Sequence, residues 1–250
     1  MTALQTIACL IAHAPITPAF IGAGVTEENE VQLSSKIPGW DDWLDDNSVT
    51  ASIANGNTGR VRARAWGVSN PIRNFRSVVG ARFVFRFVLN PDQIGFPGER
   101  YRFTATVRSE GRFLHTAAVP YPDDSRTPPA RTFGQLDTQL DVFQILPTGA
   151  PQAIAARVRD NDLFRSLDPS QALEDVIDSS VPVTQDFFPN GQNPVIFRVE
   201  RTVLGAATGV FSDIRIRGSE GRVNFRVRVL KARVQKVLDE ADPCFSVLRD

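Results

Sequence analysis

The residues best suited to ligand chemistry lie in one short segment, I-P-G-W-D-D-W-L-D-D-N at residues 37–47. In this segment Trp40 and Trp43 flank Asp41 and Asp42. An aromatic ring packs against the C–H face of a sugar, and carboxylates accept hydrogen bonds from its hydroxyls. These four residues therefore predict a glycan-binding surface, although a tryptophan beside a turn is also typical of a side chain that closes the edge of a core.

Closely spaced aspartates allow two further kinds of chemistry. They occur in two sets, Asp41, Asp42, Asp45 and Asp46 in the first and Asp160 with Asp162 in the second. A pair of carboxylates is the catalytic equipment of a glycosidase, whereas oxygen ligands in a loop suit a structural calcium ion. Neither set has the spacing of an EF-hand loop, and a solvated acidic surface explains both. Calcium is thus the one candidate ion, and no cofactor is predicted.

The two histidines, His13 and His115, do not form a catalytic pattern. The sequence has no G-x-S-x-G element that would hold a nucleophile beside a base. It also lacks the glycine-rich motifs that bind phosphates or dinucleotides, and neither histidine is part of a recognisable metal-binding motif. The sequence therefore predicts a protein that is not an enzyme.

Arginine alternates with apolar residues along several segments. In residues 221–237, Val223, Phe225, Val227 and Val229 share one parity, and arginines occupy the other. The pattern recurs at residues 60–66, 82–89 and 100–108. A period of two predicts strands with one face in a core and one face carrying guanidinium groups, which bind carboxylates with a two-pronged fork. The candidate contacts to other subunits are Arg82, Arg86, Arg222, Arg226 and Arg228.

The net charge is zero, but acidic and basic residues are segregated along the chain. Residues 1–59 carry a net charge of −6, residues 60–112 of +8, residues 113–195 of −6 and residues 196–250 of +4. General attraction to nucleic acid or to an anionic membrane is not expected from such a chain. The blocks can pair within one fold, or a basic face can meet the acidic loops of a neighbouring subunit.

The chain ends carry the two cysteines, Cys9 and Cys244. They are interpreted either as two reduced thiols or as a disulfide that ties the termini together or joins subunits. Residues 3–14 are apolar, yet no positive residue precedes them and no stretch is long enough to span a bilayer. No signal peptide or transmembrane segment is therefore predicted, and residues 1–36 are predicted to form an N-terminal arm.

The remaining pattern predicts an all-β domain over residues 37–250. Alternation and turn signals predict strands at residues 60–66, 78–89, 100–108, 113–119, 139–146, 153–159, 195–204, 210–217 and 222–237. Prolines and glycines predict loops at residues 54–59, 90–99, 120–129 and 187–194. Leu173, Val176 and Ile177 fit a helical stripe within residues 160–179. The predicted fold is an antiparallel jelly-roll sandwich of about nine or ten strands, with one short helix and an extended N-terminal arm.

Three short motifs stand out along the chain: I-P-G-W at residues 37–40, F-P-G-E-R-Y-R-F-T-A-T-V-R at residues 96–108 and F-S-D-I-R-I-R at residues 211–217. They resemble motifs of β jelly-roll domains of the galactose-binding or carbohydrate-binding-module type. The resemblance implies either a sugar binder attached to an enzyme or a structural protein of a tailed-phage particle. The chain departs from the enzyme-attached pattern because it has no catalytic domain or linker, which favours the structural alternative.

The function expected from these observations is that of a non-enzymatic virion structural protein. Such a protein would be a capsid decoration or cement protein, or a tail or fibre component, of a tailed phage. Its partners would be other virion proteins and copies of itself, reached through arginine–carboxylate contacts, and neither nucleic acid nor a membrane. The alternative is a carbohydrate-binding module that holds a glycan with the Trp40–Trp43 surface.

Overall fold

The computed structural model describes residues 3–33, 48–117, 131–166, 173–211 and 217–240, together with residues 242, 244 and 245. These residues form one α-helix and ten strands: α1 (Ala3–Ala12), β1 (Ala19–Leu33), β2 (Ser48–Ala54), β3 (Thr58–Leu89), β4 (Tyr101–Ala117), β5 (Arg131–Ile145), β6 (Pro151–Ala153), β7 (Val158–Ser166), β8 (Leu173–Phe187), β9 (Val195–Phe211) and β10 (Arg217–Lys236). The predicted all-β sandwich with about nine or ten strands is confirmed.

Strand β3 belongs to both sheets of the sandwich. Its residues 58–69 pair with β10, and residues 75–89 pair with β9. The first half thereby joins sheet A, in the order β2–β3–β10–β4–β8. The second half joins sheet B, in the order β1–β3–β9–β5, where β5 also pairs with β6 and β7. One long strand therefore links the two layers, and all pairings in both are antiparallel.

The hairpin between β2 and β3 sets the edge of sheet A. Its turn contains Asn55 and Gly56, whose φ angles of 50° and 71° are both positive. An Asn-Gly pair tolerates this conformation because Gly has no Cβ and Asn is among the residues that adopt it most readily. The turn signal at residues 54–59 is confirmed, and Ala54 pairs with Thr58 across it.

The core lies between the two sheets and is built from the inward positions of the alternating strands. Val223, Phe225, Val227 and Val229 are all buried, as predicted. Sheet A and sheet B meet where Phe103 on β4 stacks on Phe197 of β9, with ring centroids 4.2 Å apart. A close aromatic pair adds about 0.5–1.5 kcal/mol to the burial of the rings themselves.

The helix predicted within residues 160–179 is wrong. The described part of this region belongs to strands β7 and β8. Val176 is 77% exposed while its neighbour Ile177 is 9% exposed, so successive side chains point to opposite faces, as in a strand. The spacing of the apolar residues fits a helical stripe, but β8 fills the open edge of β4 with a continuous ladder, and this pairing overrides the local pattern.

Several predicted strand boundaries also change. Residues 60–66 and 78–89 form one strand, as do residues 100–108 and 113–117. Residues 153–159 contain the end of β6 and the start of β7, and residues 210–217 contain the end of β9 and the start of β10. The loops at residues 90–99 and 187–194 lie between strands as predicted, whereas residues 120–129 lie outside the described residues.

The N-terminal segment is fastened to the body of the protein at three places. Cys9 on α1 forms a disulfide with Cys244, with Cα atoms 5.4 Å apart. Ile16 exchanges two backbone hydrogen bonds of 2.7 Å with Val234 on β10. Strand β1 then pairs with β3 in sheet B. The boundary predicted at residue 36 lies outside the described residues, and no described helix has the length and apolar character needed to cross a membrane.

Candidate functional site

The outer face of sheet A carries an open groove, here called the sheet A groove. It has a volume of about 910 Å³ and crosses strands β2, β3, β10, β4 and β8. A second depression of about 540 Å³ continues it and shares Thr50, Arg62, Arg112, Glu174 and Asn224 with it. Because side chains alternate along each strand, the groove is lined mainly by the polar positions that face away from the core.

Two adjacent rows of cross-strand neighbours line the groove. The first row crosses the sheet as Thr50, Arg62, Asn224, Arg112 and Val176. The second row crosses it as Ser52, Arg60, Arg226, Glu110 and Asp178. Hydroxyl, amide, guanidinium and carboxylate groups thus alternate on one surface, and together they offer both hydrogen-bond donors and acceptors.

The β4–β8 side of the groove is neutralised by ion pairs. Arg112 Nη1 lies 2.8 Å from Glu174 Oε1. Arg108 Nη2 lies 2.8 Å from Asp178 Oδ2 and 2.7 Å from Glu110 Oε1. The contacts with Glu174 and Asp178 join the basic block at residues 60–112 to the acidic block at residues 113–195. The segregated charges of the sequence therefore pair, at this edge, within one chain.

The hydrogen bond from Arg108 lowers the pKa of Asp178 below its usual range, although burial of the carboxyl opposes the shift. Glu110 is also held from its other side, because Arg228 Nη2 lies 3.1 Å from its Oε2. A hydrogen bond to the charged form favours the ionised state of Asp178. Both carboxylates are partners of arginines on sheet A.

The opposite side of the groove carries three cations, Arg60, Arg62 and Arg226, here called the arginine triad. Arg60 and Arg226 are direct cross-strand neighbours, and Arg62 lies two residues along β3. All three are exposed. Within the part of the chain that the structure describes, none of them forms an ion pair or a hydrogen bond, and Glu110, which faces Arg226, is held by Arg108 and Arg228.

The floor of the groove requires a glycine. Gly111 on β4 lines the groove and lies opposite Phe225 on β10. A Cβ atom added at Gly111 would lie 2.2 Å from the backbone oxygen of Asn224. Only glycine allows β4 and β10 to approach this closely. The two strands therefore stay paired without a bulge beneath the two rows of groove residues.

The five predicted interface arginines do not form one surface. Arg82 and Arg86 lie on the sheet B half of β3, whereas Arg222, Arg226 and Arg228 lie on sheet A. Ion pairs within the chain hold Arg82 and Arg228. Arg82 lies 3.2 Å from Glu28 and 3.5 Å from Glu200, and Arg228 pairs with Glu110. Arg86 and Arg226 are exposed.

The predicted glycan-binding residues Trp40, Asp41, Asp42 and Trp43 lie outside the described residues, in the segment between β1 and β2. Asp45 and Asp46 lie in the same segment. Of the second acidic set, Asp160 is exposed on β7, opposite Thr138. His115 is part of strand β4. The sheet A groove itself was missed by the sequence analysis, because strand alternation identifies an outward face without revealing which strands become neighbours.

A second polar cluster surrounds the disulfide. His13 is buried, its Nε2 lies 3.7 Å from Asp242 Oδ1, and its ring stacks on Phe96. Burial acts to raise the pKa of Asp242, but hydrogen bonds from Lys236 Nζ and the Cys244 amide, with the charges of Lys236 and His13, outweigh it and hold the pKa below its usual range. His13, Asp242 and Cys244 place ligand-type atoms close together. Since the Cys244 sulfur is bonded to Cys9, the cluster fastens the chain ends and offers no complete ligand set.

The spacing of Cys9 and His13 is a signal that the sequence analysis missed. The two residues are four positions apart, which places them on one side of α1 and its end. A pair at this spacing predicts a shared environment. Its partners, Asp242 and Cys244, are more than 200 residues away in the chain, so only the fold brings the cluster together.

No protein-family model and no curated protein matches this chain. Among solved structures, the chain is similar to the CBM22-1 xylan-binding domain of Paenibacillus barcinonensis Xyn10C, at 10% identity and a TM-score of 0.21, covering 86% of this chain and 97% of that one. The family 11 carbohydrate-binding module of Lic26A-Cel5E from Clostridium thermocellum matches at 7% identity and a TM-score of 0.21, covering 92% and 96%.

The enzymatically active domain of tailspike protein 4 of bacteriophage CBA120 matches at 9% identity and a TM-score of 0.22. This match covers 84% of the present chain and 20% of the tailspike chain. At these TM-scores the three similarities carry no argument about a ligand or a partner. The sandwich is established by the strand pairing of the chain itself.

Proposed function

We propose that this protein is a non-catalytic carbohydrate-binding β-sandwich whose saccharide ligand lies across the sheet A groove. The observation that carries the proposal is the groove itself, an open surface of about 910 Å³ lined by outward side chains of five strands. Thr50, Ser52 and Asn224 supply hydroxyl and amide groups that match the hydroxyls of a sugar. Val176, 77% exposed, supplies an apolar contact for a C–H face.

The dimensions of the surface favour a chain of sugars over a single unit. Five neighbouring strands at a spacing of about 4.8 Å span roughly 19 Å between the axes of β2 and β8. The groove runs across the sheet in this direction. The second depression widens it along the strands, because Ser48, Arg64 and Arg222 lie two residues further along β2, β3 and β10. An extended oligosaccharide fits a surface of this shape better than a compact ligand does.

The carboxylates in the groove support a binding role rather than hydrolysis. A glycosidase needs one carboxylic acid that keeps its proton near neutral pH. Here the hydrogen bond from Arg108 lowers the pKa of Asp178, and Glu174 and Glu110 are held in ion pairs by Arg112 and by Arg108 with Arg228. None of these three groups is arranged as a general acid.

The proposal is tested by binding to an array of neutral and acidic glycans, followed by titration calorimetry of any hit. Asn224→Ala, at the centre of the first row, is expected to weaken binding by about tenfold or less, the loss of one or two neutral hydrogen bonds. Thr104→Ala, on the same sheet face but outside the groove, is the matched control. Binding that is lost in Trp43→Ala and unchanged in Asn224→Ala would move the site to the Trp40–Trp43 segment. Failure to bind any glycan would overturn the proposal.

A second candidate function is that of a virion structural protein, such as a phage tail or capsid decoration component. The observation that favours it is the apolar exterior of α1, where Leu4 and Ile11 are 78% and 73% exposed and Ile7 and Leu10 are also exposed. Exposed apolar patches mark contact sites, and the Cys9–Cys244 disulfide is typical of secreted proteins and particle surfaces.

Light scattering of the purified protein at low and high salt tests this second function. If the parent protein forms a defined oligomer and the double variant Leu4→Ser/Ile11→Ser does not, assembly through α1 is supported. A monomer under all conditions, with no association with phage particles, would contradict it. The two functions are compatible, because a particle component can also bind a glycan.

A further inference from the structure

We infer that the ligand of the sheet A groove is an acidic polysaccharide whose anionic groups bind Arg60, Arg62 and Arg226. This inference rests on the proposed function and deepens it, since it names the class of glycan. It is argued from the charge arrangement of the groove and from the chemistry of the neighbouring side chains.

Sheet A pairs four of its outward arginines with carboxylates on the same or an adjacent strand. The pairs are Arg102 with Asp186, Arg108 with Asp178 and Glu110, Arg112 with Glu174, and Arg228 with Glu110. The arginine triad departs from this arrangement, because none of its members has an ion pair among the described residues. Arg233, further along β10, is also exposed without a described ion pair, but it stands alone and outside the groove.

The geometry of the triad concentrates positive charge. Arg60 and Arg226 are directly opposite each other in the β3–β10 register, where Cβ atoms are about 4.5–5.5 Å apart. Arg62 and Arg226 are diagonal neighbours, a position at which the distance between residues is about 7–8 Å. Like charges at such positions destabilise a sheet. A bound anion removes the repulsion, and each guanidinium can present two parallel N–H donors to one carboxylate.

The surroundings of the triad favour a saccharide over a nucleic acid. Ser52 is the cross-strand neighbour of Arg60, while Thr50 and Asn224 are the neighbours of Arg62. These groups match sugar hydroxyls lying between the anionic substituents. Single-stranded nucleic acids need exposed aromatic side chains on which bases stack, and no tryptophan or tyrosine lines the groove within the described part of the chain.

The described lining of the groove contains no exposed aromatic ring, since its aromatic residue Phe225 is only 2% exposed, and this separates acidic from neutral glycans. A neutral polysaccharide has to gain its affinity from ring stacking and hydrogen bonds to hydroxyls. An acidic polysaccharide gains charge-assisted hydrogen bonds, which are about twice as strong as neutral ones. The triad therefore predicts selectivity for glycans that carry regularly spaced carboxylates, and polygalacturonate is a suitable probe.

The test compares binding of the full chain to polygalacturonate, a neutral galactan, a phosphodiester-linked teichoic acid and single-stranded DNA by titration calorimetry at several salt concentrations. Arg60→Gln and Arg226→Gln are each expected to weaken polygalacturonate binding about tenfold or more. Arg233→Gln, which changes the net charge equally on the same strand, is expected to have less than a twofold effect. Arg226→Lys is expected to recover only part of the affinity, because lysine lacks the fork. Thermal unfolding of each variant confirms that it is folded.

The outcomes separate this inference from the proposed function. The protein could bind neutral galactan but not polygalacturonate, with no effect of Arg226→Gln. That result would retain the glycan-binding function and overturn the inference. Binding of no glycan would overturn both. Equal binding of single-stranded DNA, or an equal loss in Arg226→Gln and Arg233→Gln, would show unspecific attraction and overturn the inference. Preference for teichoic acid over polygalacturonate, with the same dependence on the triad, would support the anionic site and assign phosphate as its ligand group.

Discussion

Arg201 on β9 donates a hydrogen bond of 2.9 Å from Nε to Ser109 Oγ on β4, so a fully buried guanidinium joins sheet B to sheet A. Its Nη1 also donates to Thr138 Oγ1 on β5. A charged group in a core is stable only where hydrogen bonds replace its lost water. The two hydroxyls supply part of that replacement, Ser109 from sheet A and Thr138 from sheet B.

Ser109→Ala is expected to lower the free energy of unfolding by about 1–3 kcal/mol, because it leaves a buried donor without its acceptor. Chemical denaturation measures the change. Ser180→Ala, at an exposed position on β8, serves as the control and is expected to change stability by less than about 0.5 kcal/mol. Equal stability of Ser109→Ala and the parent protein would mean that Arg201 obtains its solvation elsewhere.

The position of Arg201 shows where sequence reasoning is limited. Val199, Arg201 and Val203 share one parity in β9 and are all buried, so alternation places this arginine inward. The general expectation that arginines occupy outer faces points the opposite way. The conflict is settled by Ser109 and Thr138, which lie 92 and 63 residues away in the chain. Partners at such distances cannot be identified from local pattern.

The disulfide between Cys9 and Cys244 closes a loop of 235 residues. A crosslink over so long a loop reduces the freedom of the unfolded chain, and removing such a bond costs about 2–5 kcal/mol. Cys9→Ser/Cys244→Ser is therefore expected to unfold at lower denaturant concentration. Addition of reductant is expected to destabilise the parent protein by a similar amount and to leave the double variant unchanged. A response of the double variant to reductant would contradict this account, since the sequence contains two cysteines only.

The ion pair between Arg102 and Asp186 predicts a loss of stability in acid. The hydrogen bond from Arg102, at 2.6 Å, lowers the pKa of Asp186 below its usual range, against a smaller opposing effect of burial. The pKa of Asp186 is lower in the folded protein than in the unfolded chain. The ion pair therefore stabilises the fold at pH values above the pKa of the unfolded chain, and this stabilisation is lost as the pH falls through the pKa of the folded protein. For a partly exposed pair it amounts to about 0.2–1 kcal/mol.

Asp186→Asn is accordingly expected to be less stable than the parent at pH 7, with the difference shrinking below about pH 4, near the ordinary pKa of an aspartate. Urea denaturation at a series of pH values between 2 and 7 measures this change. Asp160→Asn is the control, because Asp160 is exposed and forms no ion pair among the described residues. A difference that stays constant over the whole pH range would show that Asp186 acts through packing rather than charge.

The groove illustrates what the sequence does and does not predict about the site. Alternation correctly places Arg222 and Arg226 outward on β10, with Val223, Phe225 and Val227 inward. It does not predict that β10 lies between β3 and β4, and therefore that Arg226 faces Arg60. Strand order depends on which edges remain open after folding, and β3 contributes to two sheets although both its halves show the same pattern.

The cross-strand pairing of Arg60 with Arg226 predicts that the ligand-free protein is less stable than a variant in which one of the two arginines is neutral. Arg60→Gln or Arg226→Gln is expected to raise the free energy of unfolding by about 0.2–1 kcal/mol, the range for cross-strand pairs. Binding surfaces commonly carry such a cost, since the ligand rather than the fold completes them. Arg112→Gln, which breaks the pair with Glu174, is expected to leave stability unchanged or slightly lower.

A double-mutant cycle isolates the repulsion from other effects of each substitution. In the cycle over Arg60→Gln and Arg226→Gln, the second substitution is expected to raise the free energy of unfolding by less than the first, because the first has already removed the repulsion. The difference is expected to shrink at 1 M salt, where charges are screened beyond about 3 Å. A coupling energy of zero at low salt would mean that the two guanidinium groups are already neutralised in the free protein. The groove would then lack the uncompensated charge on which recognition of an acidic glycan depends.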